Sequence, residues 1–146
     1  MNPEGSLGSD REVLTRLQGL RARRPEIEGS IVATTDGMVV AHDLGATETY
    51  GIEPEGVAAL AAVNLGLSQR IADTASHGDL QETVIRGAFG LVVTYAVGDR
   101  ALLTVLARPV EELTELHRDA REVAADVANL LAHAWQDDAA TWRGAR

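Results

Sequence analysis

Two runs near the middle of the chain, Leu91 to Val97 and Ala101 to Ala107, are apolar almost without interruption. Gly98-Asp99 separates them, which is turn chemistry between two β-prone segments. A strand that alternates apolar and polar residues buries one face, whereas a continuously apolar strand is typical of burial on both faces. The two runs therefore predict central strands covered by a helical layer on each side.

Two further segments extend this sheet. Asp36-Gly37 lies between Ile31 to Thr35 and Met38 to Ala41, and Asp-Gly between β-prone runs is a strong hairpin signal. Glu82 to Ile85 is β-branched but carries polar neighbours, as suits an edge strand. We expect the last strand beside the first, with the second and third strands at opposite edges. The middle helix would then cross one face and the terminal helices the other, giving a three-layer α/β/α sandwich around a roughly five-stranded, mostly antiparallel sheet.

The terminal helices set the expected domain limits. Ser9 followed by Glu12 has the spacing of a capping box, and apolar residues repeat at helical intervals up to Arg23. A second helical pattern opens at Glu111-Glu112 and fades after Trp135. We expect a single domain over residues 10–135, a flexible tail over residues 1–9 and a polar tail over residues 136–146.

The middle helix, from Glu53 to Ser76, carries two kinds of apolar residue. At about 100° per residue, one face collects larger side chains, which we expect to lie on the sheet. The other face carries small residues up to a polar end, and small residues allow a second backbone to approach closely. The alternative interpretation is an alanine-rich surface helix, since Ala is the best helix former. The expected sheet-facing residues are Val57, Leu60, Val63, Leu67 and Ile71; the expected outward residues are Ala59, Ala62, Gly66, Gln69, Arg70 and Asp73.

Asn64 falls toward the larger apolar face of this helix. A buried amide without a partner costs on the order of 1–3 kcal/mol, so it would need a hydrogen bond. It either fixes the helix on the sheet or lies partly exposed at the sheet margin.

Charge and composition exclude several classes of function. The net charge of −9 disfavours nucleic acid and anionic membrane surfaces as partners. Cysteine is absent, so neither disulfides nor thiolate chemistry is open to the chain. All thirteen basic residues are Arg, which excludes a lysine-dependent phosphate-binding loop. Without a membrane-length apolar run or signal-peptide pattern, we expect a cytoplasmic protein that is not inserted in a membrane.

Catalytic and metal-binding patterns are weak. His42, His77, His117 and His133 lack metal-ligand spacing, and the Glu111-Glu112 and Asp137-Asp138 pairs suit a helix start and a solvated tail. Ser68 and Ser76 have no neighbouring signal for an activated nucleophile. We therefore expect no enzyme, no cofactor and no metal.

The order of these elements, with three local sequences, resembles the roadblock (dynein light-chain) family in its bacterial form. The resemblance covers about Asp10 to His133. It is carried by Gly29 to Ala41 in the first hairpin, by the Ala- and Leu-rich middle helix, and by Ile85-Arg86-Gly87, Gly90 to Val93 and Val97 to Ala107 in the meander.

The resemblance implies a roadblock/profilin-like fold and a non-catalytic dimer. Middle helices of two copies would pack side by side, and edge strands would extend one sheet across both. On this chain the seam would involve Ala59, Ala62, Gly66 and Asp73, with the strand Thr83, Val84 and Ile85. A small Ras-like GTPase would dock on the paired helices, and a sensor-kinase-like protein is a further implied partner.

Two other interpretations stay open. One is a dimerising scaffold for a kinase or cytoskeletal protein with no GTPase. The other is a small-ligand sensor, for which Phe89, Tyr50 and Tyr95 are the aromatic residues that would line a cavity. An arginine supplied to a GTPase in trans would come from Arg70, Arg86 or Arg100.

Overall fold

The computed structural model describes residues 3–45 and 51–144, with side chains from 8 to 45 and from 51 to 136. Three helices and five strands follow one another along the chain. They are α1 (Pro3–Arg23), β1 (Ile27–Thr34), β2 (Val39–Asp43), α2 (Pro54–Thr74), β3 (Glu82–Gly87), β4 (Gly90–Val97), β5 (Ala101–Ala107) and α3 (Thr114–Gly144).

The five strands form one antiparallel sheet in the order β2-β1-β5-β4-β3. The last strand lies beside the first, and β2 and β3 occupy the two edges. Both features confirm the sequence-based arrangement. The Asp36-Gly37 turn closes the first hairpin with Gly37 at φ 90°, a backbone conformation that glycine adopts without strain.

The sheet separates two apolar cores of unequal size. On one face α1 and α3 cover the larger core, which includes Leu17, Leu103 and Leu116. On the other face α2 alone covers the smaller core, around Ile31 and Leu102. Successive residues of β5 alternate between the two cores, so this strand is buried on both faces as its continuous apolar run predicts.

Ion pairs fix the two helices of the larger layer. The Arg24 guanidinium lies 2.7 Å from the carboxylates of both Asp119 and Glu115, which joins the end of α1 to the start of α3. Arg21 lies 2.7 Å from the buried carboxylate of Asp43 and so joins α1 to β2. These contacts join α1 and α3 into one layer. In the described part of the chain, α2 is the one helix that lies by itself on a sheet face.

The terminal helices are longer than the sequence patterns predict. Residues 3–9 continue the helix, since Pro3 at the first turn is compatible with it, although Gly5 and Gly8 are poor helix formers. Residues 136–144 likewise continue α3, since they contain good helix formers and no proline. The limits of the domain itself stay a prediction.

The start of α3 differs by one turn from the expectation. The helix begins at Thr114, and the Glu112 carboxylate accepts a hydrogen bond from the Thr114 backbone N–H at 3.2 Å. Hydrogen bonds from the Thr114 side chain and backbone lower the pKa of Glu112, because they stabilise its charged form. Glu112 therefore caps the helix, while Glu111 precedes it.

Candidate protein interface

The outward face of α2 is a stripe of large apolar side chains. Leu60, Val63, Leu67 and Ile71 are 73%, 69%, 57% and 62% exposed, and they follow one another at intervals of one helical turn. We call these four residues the outer stripe. A contiguous apolar surface of this kind on a folded domain is typical of a protein contact.

The prediction that these residues pack on the sheet was wrong. The residues of α2 that are buried on the sheet are Ala58, Ala61 and Leu65. Small side chains at the first two positions let the helix lie close to the strands, where Ile31, Ala33 and Leu102 fill the space. The helix is two-sided, as expected, but the face that meets the sheet is neither of the two predicted ones: it is the face of Ala58, Ala61 and Leu65.

The small residues expected at a partner surface lie beside the outer stripe. Ala59 is exposed next to the first hairpin, where a Cβ added to Gly37 would lie 3.1 Å from the Cα of Ala59. Its small size therefore has a local explanation. Gly66 is exposed with open space around it, and Ala62 is half-buried.

The polar residues at the end of α2 form a local network. Gln69 donates to the Asp73 carboxylate at 2.8 Å and accepts a hydrogen bond from the Leu80 backbone N–H at 3.0 Å. Arg70 follows Gln69 on the helix and is exposed. The structure therefore places Gln69 in the connection to β3, while Arg70 and Asp73 are exposed.

A groove joins the outer stripe to the edge strand β3. It has a volume of about 420 Å³ and runs between Ile71 on α2 and Thr83, Val84 and Ile85 on β3. Val84 and Ile85 are 39% and 50% exposed. Ile71 at the end of the stripe and Ile85 on the strand edge thus line one groove, together with the polar side chains of Asn64 and Thr83.

Asn64 spans this groove. Its side-chain amide donates to the Thr83 hydroxyl at 3.2 Å, which ties α2 to the edge strand. Asn64 is half-buried and bonded to the edge strand, so the geometry fits both interpretations: it ties the helix to the sheet, and it does so at the sheet margin.

On the opposite face of the sheet, polar contacts hold β3 to α3. The Glu82 carboxylate binds the Arg121 guanidinium and lies 3.9 Å from His117 Nε2. His117 Nδ1 is 2.7 Å from the Tyr95 hydroxyl. Burial, followed by the nearby Glu82 charge, raises the pKa of Tyr95 above its ordinary value.

The aromatic residues proposed for a ligand cavity do not converge. Tyr95 is buried in the larger core, whereas Phe89 is 92% exposed at the β3–β4 turn. Tyr50 lies outside the described residues. Among the side chains that the structure describes, no cluster of three or more His, Asp or Glu residues could hold a metal ion.

The three candidate arginines lie at separate places. Arg100 covers the Trp135 ring at 4.5 Å, and Arg86 donates to the Val110 carbonyl at 3.2 Å. Arg70 is exposed on α2, and of the three it is the one beside the outer stripe.

No helix within the described ranges is both long and apolar enough to cross a membrane.

Sequence reasoning missed the outer stripe as a surface, together with Met38, which is 66% exposed next to the first turn. A usable signal was present. Ala58, Ala61 and Leu65 have the same helical spacing as the larger face and offer a second way to place the helix on the sheet.

Comparison with known proteins identifies the family and the fold. The model of the Roadblock/LC7 domain family matches residues 14–107. A Roadblock/LC7 domain from Streptomyces avermitilis is 20% identical, with 82% of this chain and 97% of that one aligned at a TM-score of 0.72. Myxococcus xanthus MglB is 14% identical, with 86% and 91% aligned at a TM-score of 0.75.

A more distant likeness is to profilin IB from Acanthamoeba castellanii, 11% identical over 80% of this chain and 96% of that one, with a TM-score of 0.51. No curated protein sequence matches the chain. At these identities the solved structures show a shared fold, with a five-stranded antiparallel sheet and three helices.

Proposed function

The chain belongs to the Roadblock/LC7 family, and from that premise we propose that it is a non-enzymatic, cytoplasmic homodimeric adaptor that docks a small Ras-like GTPase. A roadblock-type adaptor or regulator needs surfaces for protein contact and no catalytic groups. The observation that carries the proposal is the outer stripe of α2, four large apolar residues held out from a folded domain.

Self-association would use the half of the stripe that adjoins β3. Ile71 lines the same groove as Val84 and Ile85, so a second copy that covers the strand edge also covers the end of the helix. Burial of a Leu- or Ile-sized side chain stabilises an interface by about 1.5–3 kcal/mol. The proposed seam therefore includes Ile71 and Leu67 beside the sequence-predicted Thr83, Val84 and Ile85. Gly66, which the sequence also predicts at the seam, lines a different groove of α2, toward Asp99 and Ala101.

The GTPase would use the other half of the stripe. Ala59 lies against the first hairpin, so the start of α2 lies near β1 and β2, at the edge of the sheet opposite β3. Leu60, Val63 and the neighbouring Met38 are exposed there. In a dimer joined at β3, this end of each helix points away from the seam and stays open to a different protein.

Two arginine substitutions separate the two contacts. We expect Ile71→Arg to convert the dimer to a monomer in light-scattering mass measurements, because it places two charges in an apolar seam. Leu60→Arg should leave the mass of the dimer unchanged but weaken GTPase binding at least tenfold. Gln18→Arg, an equal change of charge on the exposed face of α1, is the control and should alter neither measurement.

Binding would be measured with Ras-like GTPases loaded with GDP or with a GTP analogue. Preference for one nucleotide form supports a role in the nucleotide cycle, and equal binding supports a scaffold. If the wild-type chain is a monomer at micromolar concentration, the homodimer is wrong. If it is a dimer that binds none of these GTPases, the scaffold for a kinase or cytoskeletal protein replaces the leading proposal.

A further inference from the structure

A second groove, on the other flank of α2, combines an apolar floor with an acidic rim. It has a volume of about 410 Å³ and lies between α2, the first hairpin and the turn that joins β4 to β5. Leu65 and Ala101 in its lining are buried, whereas Asp79 and Asp99 are exposed. We call it the acidic groove. We propose that it receives an arginine side chain of the GTPase that docks on the outer stripe, an inference that rests on the proposed function and adds the chemistry of the contact.

The two carboxylates of the rim are not neutralised by a base of this chain. Among the described side chains, neither Asp79 nor Asp99 takes part in an ion pair or a hydrogen bond. Arg100, the base next to Asp99 in the sequence, lies over the Trp135 ring at 4.5 Å. The last turn of α2, which precedes Asp79, carries no basic residue, so the negative end of the helix dipole adds to the potential. The groove therefore attracts a cation.

The walls of the acidic groove are fixed in the free chain. The Gln69 side chain donates to Asp73 at 2.8 Å and accepts from the Leu80 backbone N–H at 3.0 Å. The Thr35 backbone N–H donates to the Arg100 carbonyl at 3.0 Å, which joins the two turns on the other side of the groove. A preformed cavity loses less conformational entropy on binding than a mobile one. A side chain that fits this groove therefore binds without rearranging it.

Gly66 keeps the acidic groove open. Glycine is a poor helix former, yet Gly66 lies in the middle of α2. A Cβ at this position would meet nothing within 4 Å, so packing within the chain does not require a glycine. A larger side chain would instead project into the space that Gly66 lines between Ala62 and Gln69. An occupant of the groove accounts for this glycine, which the fold of the single chain does not.

Arginine matches the lining better than other cations do. Its methylene stem covers apolar surface while its charged end stays at a polar edge, which suits the buried Leu65 and Ala101 and the exposed carboxylates. Its planar guanidinium pairs with carboxylates through two parallel hydrogen bonds, whereas a lysine ammonium is more strongly hydrated. A metal ion is disfavoured, because the side chains described here include no group of three His, Asp or Glu that could hold one.

The size of the groove points to a single side chain. Its volume is at the low end of the range of about 300–1,000 Å³ that is typical of ligand pockets. A long side chain fits into such a space, whereas a strand or helix of a partner does not.

The acidic groove adjoins the half of the outer stripe that we assign to the GTPase. Ala62 in the groove precedes Val63 in the stripe, and Thr35 belongs to the same turn as Met38. A protein that covers Leu60, Val63 and Met38 therefore reaches the rim of the groove. The net charge of −9 on the chain favours a basic surface on that protein.

A blocked arginine tests the groove without a GTPase. Titration of the full chain with N-acetyl-L-argininamide, followed by NMR, should produce saturable shifts of the amide signals of Gly66, Gly98 and Asp99. N-acetyl-L-citrullinamide has nearly the same shape without the charge and is the control, for which we expect no saturable shifts. Equal shifts with both compounds, or arginine-dependent shifts at other residues only, would overturn the acidic groove.

Substitutions connect the groove to GTPase binding. The double variant Asp79→Asn/Asp99→Asn removes both charges at nearly constant shape, and Gly66→Leu fills the space. With a Ras-like GTPase that binds the wild type, each should weaken binding at least tenfold and leave the mass of the dimer unchanged. Glu12→Gln, which removes an exposed charge from α1, is the control and should alter neither measurement. A monomeric Gly66→Leu would place the glycine in the seam and contradict its role in the groove.

The arginine of the GTPase is identified by replacing its exposed arginines with glutamine one at a time. One of these changes should weaken binding to the wild-type chain at least tenfold but have little effect on binding to the double variant, as expected for groups in direct contact. If no arginine shows this coupling, the proposal is wrong. If no Ras-like GTPase binds but the blocked arginine does, the GTPase is wrong as the source of the side chain and the groove itself is supported.

Discussion

Helices α2 and α3 lie on opposite faces of one sheet and present opposite chemistry to their surroundings. The outward side of α3 carries exposed charges such as Glu115, Arg118 and Glu122. The outward side of α2 carries Leu60, Val63, Leu67 and Ile71. A charged surface is stable in water, while an apolar one gains free energy when another surface covers it.

The inner sides differ in the reverse sense. α3 meets the sheet with large residues, including Leu116, Val127 and Leu131, whereas α2 meets it with Ala58 and Ala61 beside Leu65. A helix whose large side chains face outward buries less apolar area in its own fold and has more to bury in a contact with another protein. The two helices thus separate a layer that stabilises the domain from a layer that we propose as the binding surface.

The largest expected effect compares one substitution on the two helices. Leu116→Ala removes a fully buried side chain and should lower the free energy of unfolding by about 2–5 kcal/mol. Leu60→Ala removes an exposed one and should change it by no more than about 0.5 kcal/mol. Chemical denaturation of both variants checks this, and a loss of similar size in both would remove the distinction between the layers.

An intermediate effect sharpens the assignment of the inner face of α2. Ala58 is fully buried against the sheet, so Ala58→Leu should overpack the smaller core and cost about 1–3 kcal/mol of stability. Gly66→Ala is the control on the same helix: it meets open space and should raise helix stability by about 1 kcal/mol. If thermal unfolding showed Ala58→Leu to be the more stable of the two variants, the assignment of Ala58 to the sheet-facing side would be wrong.

The smallest effect concerns the α3 face at high pH. Burial raises the pKa of Tyr95 above its ordinary value of 10.0, so the folded chain keeps this phenol neutral where the unfolded chain ionises it. The associated stability is present below about pH 10 and falls as the pH rises further, because the unfolded state then releases more protons. Unfolding measured between pH 9 and about 11 should show this decline.

Tyr95→Phe is the matched control for that decline. It leaves the ring in the core and should flatten the pH dependence, at a cost of about 1 kcal/mol for the hydrogen bond to His117. An equally steep decline in the variant would assign the effect to other groups.

The sequence predicts the topology better than the orientation of one helix. Strand order follows from local signals, since Asp36-Gly37 and Gly98-Asp99 fix the turns and the apolar run of β5 requires a central position. The faces of α2 do not follow, because Ala58 and Leu60 are both apolar and periodicity does not show which of two apolar faces lies on the sheet. Which side meets the sheet depends on how closely the backbone can approach, and the strands below determine that.

For the interface residues, too, the sequence predicts some positions in the fold but leaves their role open. Thr83, Val84 and Ile85 could be placed at an edge because their neighbours are polar, and the structure has β3 at an edge. Their role in a seam stays a prediction, as does that of Gly66 and Asp73. The helical segments before residue 10 and after residue 135 were missed because they are mostly polar, and the first also contains Gly5 and Gly8, a composition as typical of a tail as of a helix end.

The two helices that begin and end the described chain, α1 and α3, share the face of the sheet away from α2. A fluorescent protein or an affinity tag fused at either end would be attached to the layer that faces away from Leu60 and Ile71. Immobilising the chain by such a fusion therefore leaves the apolar side accessible to a titrated protein, and both ends can carry labels for distance measurements without blocking it.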